Sequence, residues 1–231
     1  MVELSLVLPA HNEARRLEKA VAAARRVLRG TSFEVLVAED GSSDGTAELG
    51  KKLARHFSQV RCFSFSQRLG RGKALCRAFS RATGSIVGYM DVDLATDPRA
   101  LRNVFSAMRG ADVVVGSRYL RQSRASRAFT RDLFSRVYNA WVRLWLGSRV
   151  ADHQCGFKFF KKSVAKGLCA KAKARHWFWD TEVLVLAQRA GLKVVEVPVA
   201  WRETQEGSKV RLLSDAWRMA KDVVGLWWRL R

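Results

Sequence analysis

Gly84-Ser85-Ile86-Val87-Gly88-Tyr89-Met90-Asp91-Val92-Asp93 is an uncharged, largely apolar run that ends in two carboxylates. Its length and β-branched residues predict a short buried strand. Residues i and i+2 of a strand point to the same side. Asp91 and Asp93 therefore face one way, where like charges repel. A divalent cation between them relieves the repulsion, because hard cations take carboxylate oxygens. The alternative is a turn that caps the helix following Asp97-Pro98, since Asp is common in turns.

The flanking sequence repeats the pattern. Short apolar strands are predicted at Glu3–Pro9, Phe33–Ala38, Val60–Phe65, Ile86–Met90 and Asp112–Ser117. Amphipathic helices fit between them, from Asn12 to Leu28, Asp44 to His56, Gly70 to Ala82 and Pro98 to Met108. Strand–helix alternation predicts an α/β chain: a mainly parallel sheet with helices on both faces. Such sheets bind ligands at the carboxyl ends of their strands. Glu13, Asp40, Lys73, Asp91, Asp93 and Arg118 all fall there. Beyond Arg118 the reading is a helix over 126–146, a strand at Gly156–Phe160, a helix at Asp180–Ala190, a strand at Lys193–Val199 and a helix over 211–231. No linker or repeat interrupts residues 1–231, so one domain is the simplest account.

Lys and Arg number 42 against 21 Asp and Glu, a formal charge of +21, and 48% of residues are hydrophobic. That composition excludes a disordered chain and implies an anionic partner, nucleic acid or a membrane surface. Between Arg99 and Arg149 stand eleven Arg and no Lys, with Asp112 and Asp132 the only acids. Arg is the better bidentate phosphate binder. No stretch approaches the roughly 20 apolar residues of a membrane span, and no signal peptide opens the chain. The helices at 126–146 and 211–231 carry Trp141, Trp145, Trp227 and Trp228 among arginines, which favours contact with a membrane interface over ordinary packing. Cys62, Cys76, Cys155 and Cys169 show no metal-ligand spacing and read as buried, reduced thiols of a cytosolic chain.

Seven motifs in order carry a family resemblance. They are Leu8-Pro-Ala-His-Asn-Glu13, Glu39-Asp-Gly-Ser-Ser-Asp-Gly-Thr46, Arg71-Gly-Lys-Ala74, Asp91-Val-Asp93, Val115-Gly-Ser-Arg-Tyr119, Asp152-His-Gln-Cys-Gly-Phe-Lys158 and Glu206-Gly-Ser-Lys209. Together they resemble the family 2 glycosyltransferases of the GT-A fold, a Rossmann-like mixed sheet, and especially the dolichyl- and polyprenyl-phosphate sugar synthases. The resemblance implies an inverting hexosyltransferase that moves a sugar from a nucleotide sugar to dolichyl or polyprenyl phosphate. Pro9, His11, Glu13, Asp40, Lys73 and Asp91 would line the donor pocket, and Asp91 with Asp93 would hold Mg²⁺ or Mn²⁺ against its diphosphate. Arg118, Arg131, Ser135 and Lys209 would grip the acceptor phosphate. Asp91, Asp93 and Arg118 are the residues expected to carry catalysis. Arg131 and Ser135 are four apart and share a helix face. The scarcity of acids in that segment makes a salt bridge the lesser expectation for Arg131.

One position departs from the mannose-synthase pattern. Ala95 stands where a Gln would help bind the metal, leaving Thr96, Asp97 or water as substitutes. Asp152–Lys158, Trp177–Leu184 and Trp201–Lys209 look more like glucose synthases, so the resemblance leans to UDP-glucose over GDP-mannose. It implies peripheral attachment at the cytoplasmic membrane face and leaves open a membrane-anchored partner subunit. Two other readings stand beside it. One is a glycosyltransferase that extends a lipid-linked glycan. The other is a basic nucleic-acid-binding protein, although no RNA-binding aromatic motif or helix-turn-helix is present.

Overall fold

The computed structural model describes residues 2–203 and 212–231, with side chains given from 218 onward in the last segment. The strands are β1 (Leu4–Ala10), β2 (Phe33–Asp40), β3 (Val60–Phe65), β4 (Ile86–Met90), β5 (Val113–Ser117), β6 (Arg124–Ser126), β7 (Phe157–Lys161), β8 (Val194–Pro198) and β9 (Ala200–Arg202). The helices are α1 (Ala14–Val27), α2 (Thr46–His56), α3 (Arg71–Arg81), α4 (Leu101–Met108), α5 (Phe129–Leu146), α6 (Lys162–Lys171), α7 (Trp179–Arg189) and α8 (Leu212–Leu230).

Seven strands form one sheet in the order β3-β2-β1-β4-β7-β5-β8. Only β7 runs against its neighbours, pairing antiparallel with both β4 and β5. The chain moves from β1 out to β2 and β3, then returns to place β4 on the other side of β1. That reversal is the switch point at which open α/β sheets form a ligand crevice. The mixed, mostly parallel sheet is as expected. The small parallel pair β6–β9 and helix α6 are additions. β6 takes the first residues assigned to the 126–146 helix, because Ser126 pairs with Arg202 in extended backbone.

Strand alternation sends side chains to two cores. Leu4, Leu6 and Leu8 meet Leu17, Val21, Leu101 and Val104 on one face. Val7, Val87 and Tyr89 meet Leu75, Phe79, Leu168 and Val183 on the other. A third cluster joins α5, α7 and α8 through Val142, Leu146, Val185, Val223 and Leu226. Trp141, Trp145 and Trp227 pack against it, with ring centroids 5.2 Å apart for Trp141–Trp145 and 5.5 Å for Trp145–Trp227. Most of that tryptophan signal is therefore helix packing, and of Trp141, Trp145, Trp227 and Trp228 only Trp228, 66% exposed, faces outward. The outward apolar face of α5 consists instead of Phe129, Leu133, Phe134, Val137 and Leu144. Cys76 of α3 and Cys169 of α6 form a disulfide with Cα atoms 5.5 Å apart. That corrects the expectation of four reduced thiols: helices distant in sequence bring the two together. Among the described residues no helix is long and apolar enough to cross a membrane.

Candidate active site

β2, β1 and β4 deliver their carboxyl ends side by side, with Ala10 paired to Glu39 and Val7 to Tyr89. The loops beyond them are laced together. Asn12 is left-handed, with φ 54°. Its side-chain oxygen accepts from Ser43 N at 2.9 Å, while the Glu13 and Ala14 amides donate to Thr46 Oγ1 and Asp44 Oδ2. His11 Nδ1 lies 2.9 Å from the Asp40 carbonyl. The Asp40 carboxylate accepts from Leu69 N at 2.6 Å and Gly70 N at 3.0 Å. Asp40 thus braces the loop that enters α3. Gly70 turns that loop at φ +90°, a conformation other residues rarely adopt. Pro9 lies one residue before the end of β1, His11 and Glu13 in the loop after it, Asp40 at the end of β2 and Lys73 in the first turn of α3.

α3 opens with Arg71, whose Nη2 lies 2.6 Å from Asp91 Oδ1. Its Nε is 3.5 Å from Asp180 Oδ2 on α7. The Asp91 backbone N–H donates to Gly156 O at 3.1 Å. A Cβ on Gly156 would fall 1.7 Å from Asp91 Oδ2, so the absence of a side chain there makes room for the carboxylate. Leu94 then takes φ 56° and turns the chain sharply after Asp93. Left-handed backbone is uncommon for a branched residue and costs on the order of 1–3 kcal/mol. Asp93 Oδ1 accepts from Ala95 N at 3.0 Å. Burial and the neighbouring Asp91 charge push the Asp93 carboxyl above its usual range; Arg16 opposes that shift and Glu13 adds to it. Asp91 Oδ1 is buried and has no hydrogen-bond partner, only the ion pair to Arg71.

Two neighbouring carboxylates, of which only Asp91 has a guanidinium beside it and Asp93 is held above its usual range by burial and by Asp91, fit a divalent cation. Neither local substitute for the missing Gln completes the set. Asp97 is occupied by Arg99 Nε at 2.8 Å, and Thr96 is buried with Oγ1 4.0 Å from Cys155 Sγ. Among the described residues no three His, Cys, Asp or Glu side chains converge.

A buried polar cluster backs Asp91. Lys158, fully buried, donates to Cys155 O at 2.6 Å, Asp180 Oδ1 at 3.0 Å and Tyr89 Oη at 3.1 Å. Tyr89 also donates to Asp180. Burial pushes the Asp180 carboxyl up to about 7, partly offset by Arg71, and pushes the Lys158 ammonium down to about 8. Arg71, Lys158 and Asp180 were not among the expected site residues. Each lay inside a quoted motif or stretch, but nothing local showed that they meet.

The arginine-rich corner differs from expectation. Arg118 is buried and bidentate to Asp152, with Nε–Oδ2 2.7 Å and Nη2–Oδ1 2.8 Å. Arg131 pairs with Glu203. The salt bridge held to be the lesser expectation for Arg131 therefore forms, because the acid comes from the end of β9 rather than from the local segment. Ser135 Oγ accepts from Tyr119 Oη at 2.8 Å and lies 3.4 Å from Arg118 Nη2. Arg118, Arg131 and Ser135 thus do assemble in one corner; Lys209 lies outside the described residues. β9 joins this corner to the carboxylate loop. Its Arg202 N donates to Ala95 O at 2.8 Å, its Ala200 O accepts from Asp97 N at 2.8 Å, and its other edge pairs with β6.

This arrangement has close relatives. The family model described as "Glycosyl transferase family 2" matches residues 5–169. The chain is 44% identical over 235 residues to the glycosyltransferase AglD of Haloferax volcanii, covering 99% of this chain and 38% of that protein. It is 30% identical to the dolichyl-phosphate beta-glucosyltransferase of Dictyostelium discoideum, covering 99% of this chain and 75% of that one. It therefore spans well under half of the first relative and about three quarters of the second. Among solved structures, glucosyl-3-phosphoglycerate synthase from Mycobacterium tuberculosis with uridine diphosphate superposes with a TM-score of 0.71 at 24% identity, covering 98% of this chain and 79% of that one. The same synthase with Mn²⁺, UDP-glucose and glycerol 3-phosphate gives 0.68 at 23% identity, covering 97% and 78%. These two likenesses bear on the fold, and they match the mixed, mostly parallel sheet of the GT-A class. With the family model matching residues 5–169, well over half of the chain and from β1 into α6, the chain belongs to glycosyl transferase family 2.

Proposed function

We propose that the chain transfers a hexose from a nucleotide sugar, UDP-glucose in preference to GDP-mannose, to the phosphate of dolichol or a related polyprenol, with inversion. The observation that carries this reading is the strand β9, hydrogen-bonded on one edge to the Asp91–Asp97 loop and on the other to the arginine corner. A leaving diphosphate at the first and an acceptor phosphate at the second would be held by one ribbon. Relatives named dolichyl-phosphate beta-glucosyltransferase support the acceptor and favour glucose.

In this mechanism Pro9, His11, Glu13, Asp40 and Lys73 line the donor pocket, and Asp91 and Asp93 would hold Mg²⁺ or Mn²⁺. A divalent cation there stabilises negative charge on the departing diphosphate. Arg118, Arg131, Ser135 and Lys209 orient the acceptor. A phosphate monoester has its second pKa near 6, so an acceptor oxygen attacks the anomeric carbon without a general base. The bond from that carbon to the donor phosphate breaks, and the nucleoside diphosphate leaves. Positioning and preorganised charge supply the rate. The exposed apolar face of α5, flanked by Arg136 and Arg143, would rest in an anionic membrane interface on the cytoplasmic side, where the lipid acceptor resides.

Release of UDP or GDP from a panel of nucleotide sugars, with dolichyl phosphate or dolichol and Mn²⁺, tests the proposal. Release that requires UDP-glucose and dolichyl phosphate together is the expected result. Equal stimulation by dolichol overturns the acceptor assignment. Failure to cosediment with anionic vesicles at low salt overturns the membrane assignment.

A further inference from the structure

The arginine corner holds four guanidinium groups and three carboxylates. Arg118 has Asp152 at 2.7 Å, Arg131 has Glu203, and Arg136 has Asp132 at 2.6 Å. Among the described residues Arg127 is the most weakly paired of the four. Its nearest carboxylate is Asp132 at 3.7 Å, and that group is already engaged by Arg136. The side chain is only 11% exposed. It is positioned nonetheless. Nη2 donates to the Arg131 carbonyl at 3.0 Å, Nη1 lies 3.4 Å from Tyr119 Oη, and the guanidinium sits 5.4 Å from the Trp201 ring centroid. Arg118 lies against the same ring at 5.5 Å. Among the described residues, Arg127 Nε has no hydrogen-bond partner.

A buried cation with only one long, shared carboxylate contact is costly unless a further anion completes it. The surroundings here oppose the charge: burial first, then Arg118, hold the Arg127 pKa below its ordinary value. Arg118 and Arg131, by contrast, are each neutralised within the fold. Their task is to shape the corner more than to supply its net charge.

We propose that Arg127 is the principal charge partner of the acceptor phosphate, a binding residue for a phosphate monoester that docks beside Tyr119, Ser135 and Trp201. The assignment rests on the reading that the acceptor is a phosphate. A monoester carries about −1.5 to −2 charge at neutral pH and supplies the oxygens that Nε lacks. Trp201 belongs to β9, so docking there is mechanically continuous with the carboxylate loop.

The test measures binding of a short prenyl phosphate and of the matching prenol to the full chain by titration calorimetry, for wild type and Arg127→Met. Wild type is expected to prefer the phosphate, and Arg127→Met to lose at least tenfold in phosphate affinity, the scale of one charge-assisted hydrogen bond. Wild type that binds both ligands equally overturns the phosphate-acceptor reading itself. A preference retained in full by Arg127→Met overturns the role of Arg127 while leaving that reading standing. Arg127→Gln keeps the stem and a donor without the charge; if Arg127→Met does not fold, the same loss is required of Arg127→Gln. In turnover, the defect is expected in KM for the acceptor with kcat largely kept. A drop in kcat alone would count against the assignment.

Discussion

Gly156→Ala is expected to disable the donor site by displacing Asp91, without replacing any donor-binding side chain. An added Cβ would lie 1.7 Å from Asp91 Oδ2 and 2.3 Å from its Cγ. The carboxylate must therefore retreat by more than 1 Å to reach ordinary contact. It cannot do so by a small rotation. Asp91 Oδ1 is held 2.6 Å from Arg71, and the Asp91 amide is bonded to Gly156 itself. Relief means swinging the side chain off Arg71 and away from Asp93. A misplacement of about 1 Å at a reacting centre costs on the order of 100-fold, or about 2.7 kcal/mol of barrier. The assay is kcat/KM for the nucleotide sugar with Mn²⁺, together with the Mn²⁺ dissociation constant from electron paramagnetic resonance. Both are expected to worsen, with the thermal midpoint within a few degrees of wild type. An alanine variant within threefold of wild type in kcat/KM, with unchanged Mn²⁺ affinity, would refute the reasoning.

Other perturbations probe the surrounding structure. Arg71→Met leaves Asp91 and Asp180 without their shared counter-charge, and loss of one partner of a buried pair costs about 3–5 kcal/mol; urea denaturation should show it, and the double variant Arg71→Met/Asp180→Asn should recover part of it as a coupling energy. Cys76→Ser opens a disulfide spanning 93 residues, which chain entropy values at about 4–5 kcal/mol; calorimetry should find the midpoint lowered by roughly 10–15 °C, and an unchanged midpoint would mean the bond contributes nothing. His153 is buried neutral between Asn139 and Ser148, its pKa held down to about 3 mainly by burial. A depressed histidine keeps its full contribution above its unfolded pKa near 6.5 and loses it as pH falls toward 3, at up to about 1.4 kcal/mol per pH unit. His153→Gln should flatten the stability–pH curve in that window, and an unaltered slope would assign the acid sensitivity elsewhere.

Sequence reading worked where the signal was local. The strand ends expected at Pro9, Ala38 and Met90 fall within two residues of those observed, because apolar runs stop at proline or charge; the aspartate pair, expected on the strand itself, lies in the turn just beyond β4. Helices α1, α2, α3 and α4 followed from their 3.6-residue periodicity. Short elements without a periodic signal, such as β6 and β9, were not legible. The Trp-rich helices misled in part, since a tryptophan in a helix–helix seam and one at a membrane surface have the same local sequence.

The first five strands of the sheet with the helices between them, the place of Asp91 and Asp93 just beyond the carboxyl end of β4, and the family were thus legible in the sequence alone, because each depends on neighbours a few residues apart. Which cation meets which carboxylate was decided only by the tertiary structure. Arg131 finds Glu203, Arg71 stands between Asp91 and Asp180, Cys76 meets Cys169, and Arg127 shares Asp132 with Arg136 at the longer distance of 3.7 Å. Ion pairs and disulfides select on distance in space, and the folded sheet, not the order of residues along the chain, sets those distances.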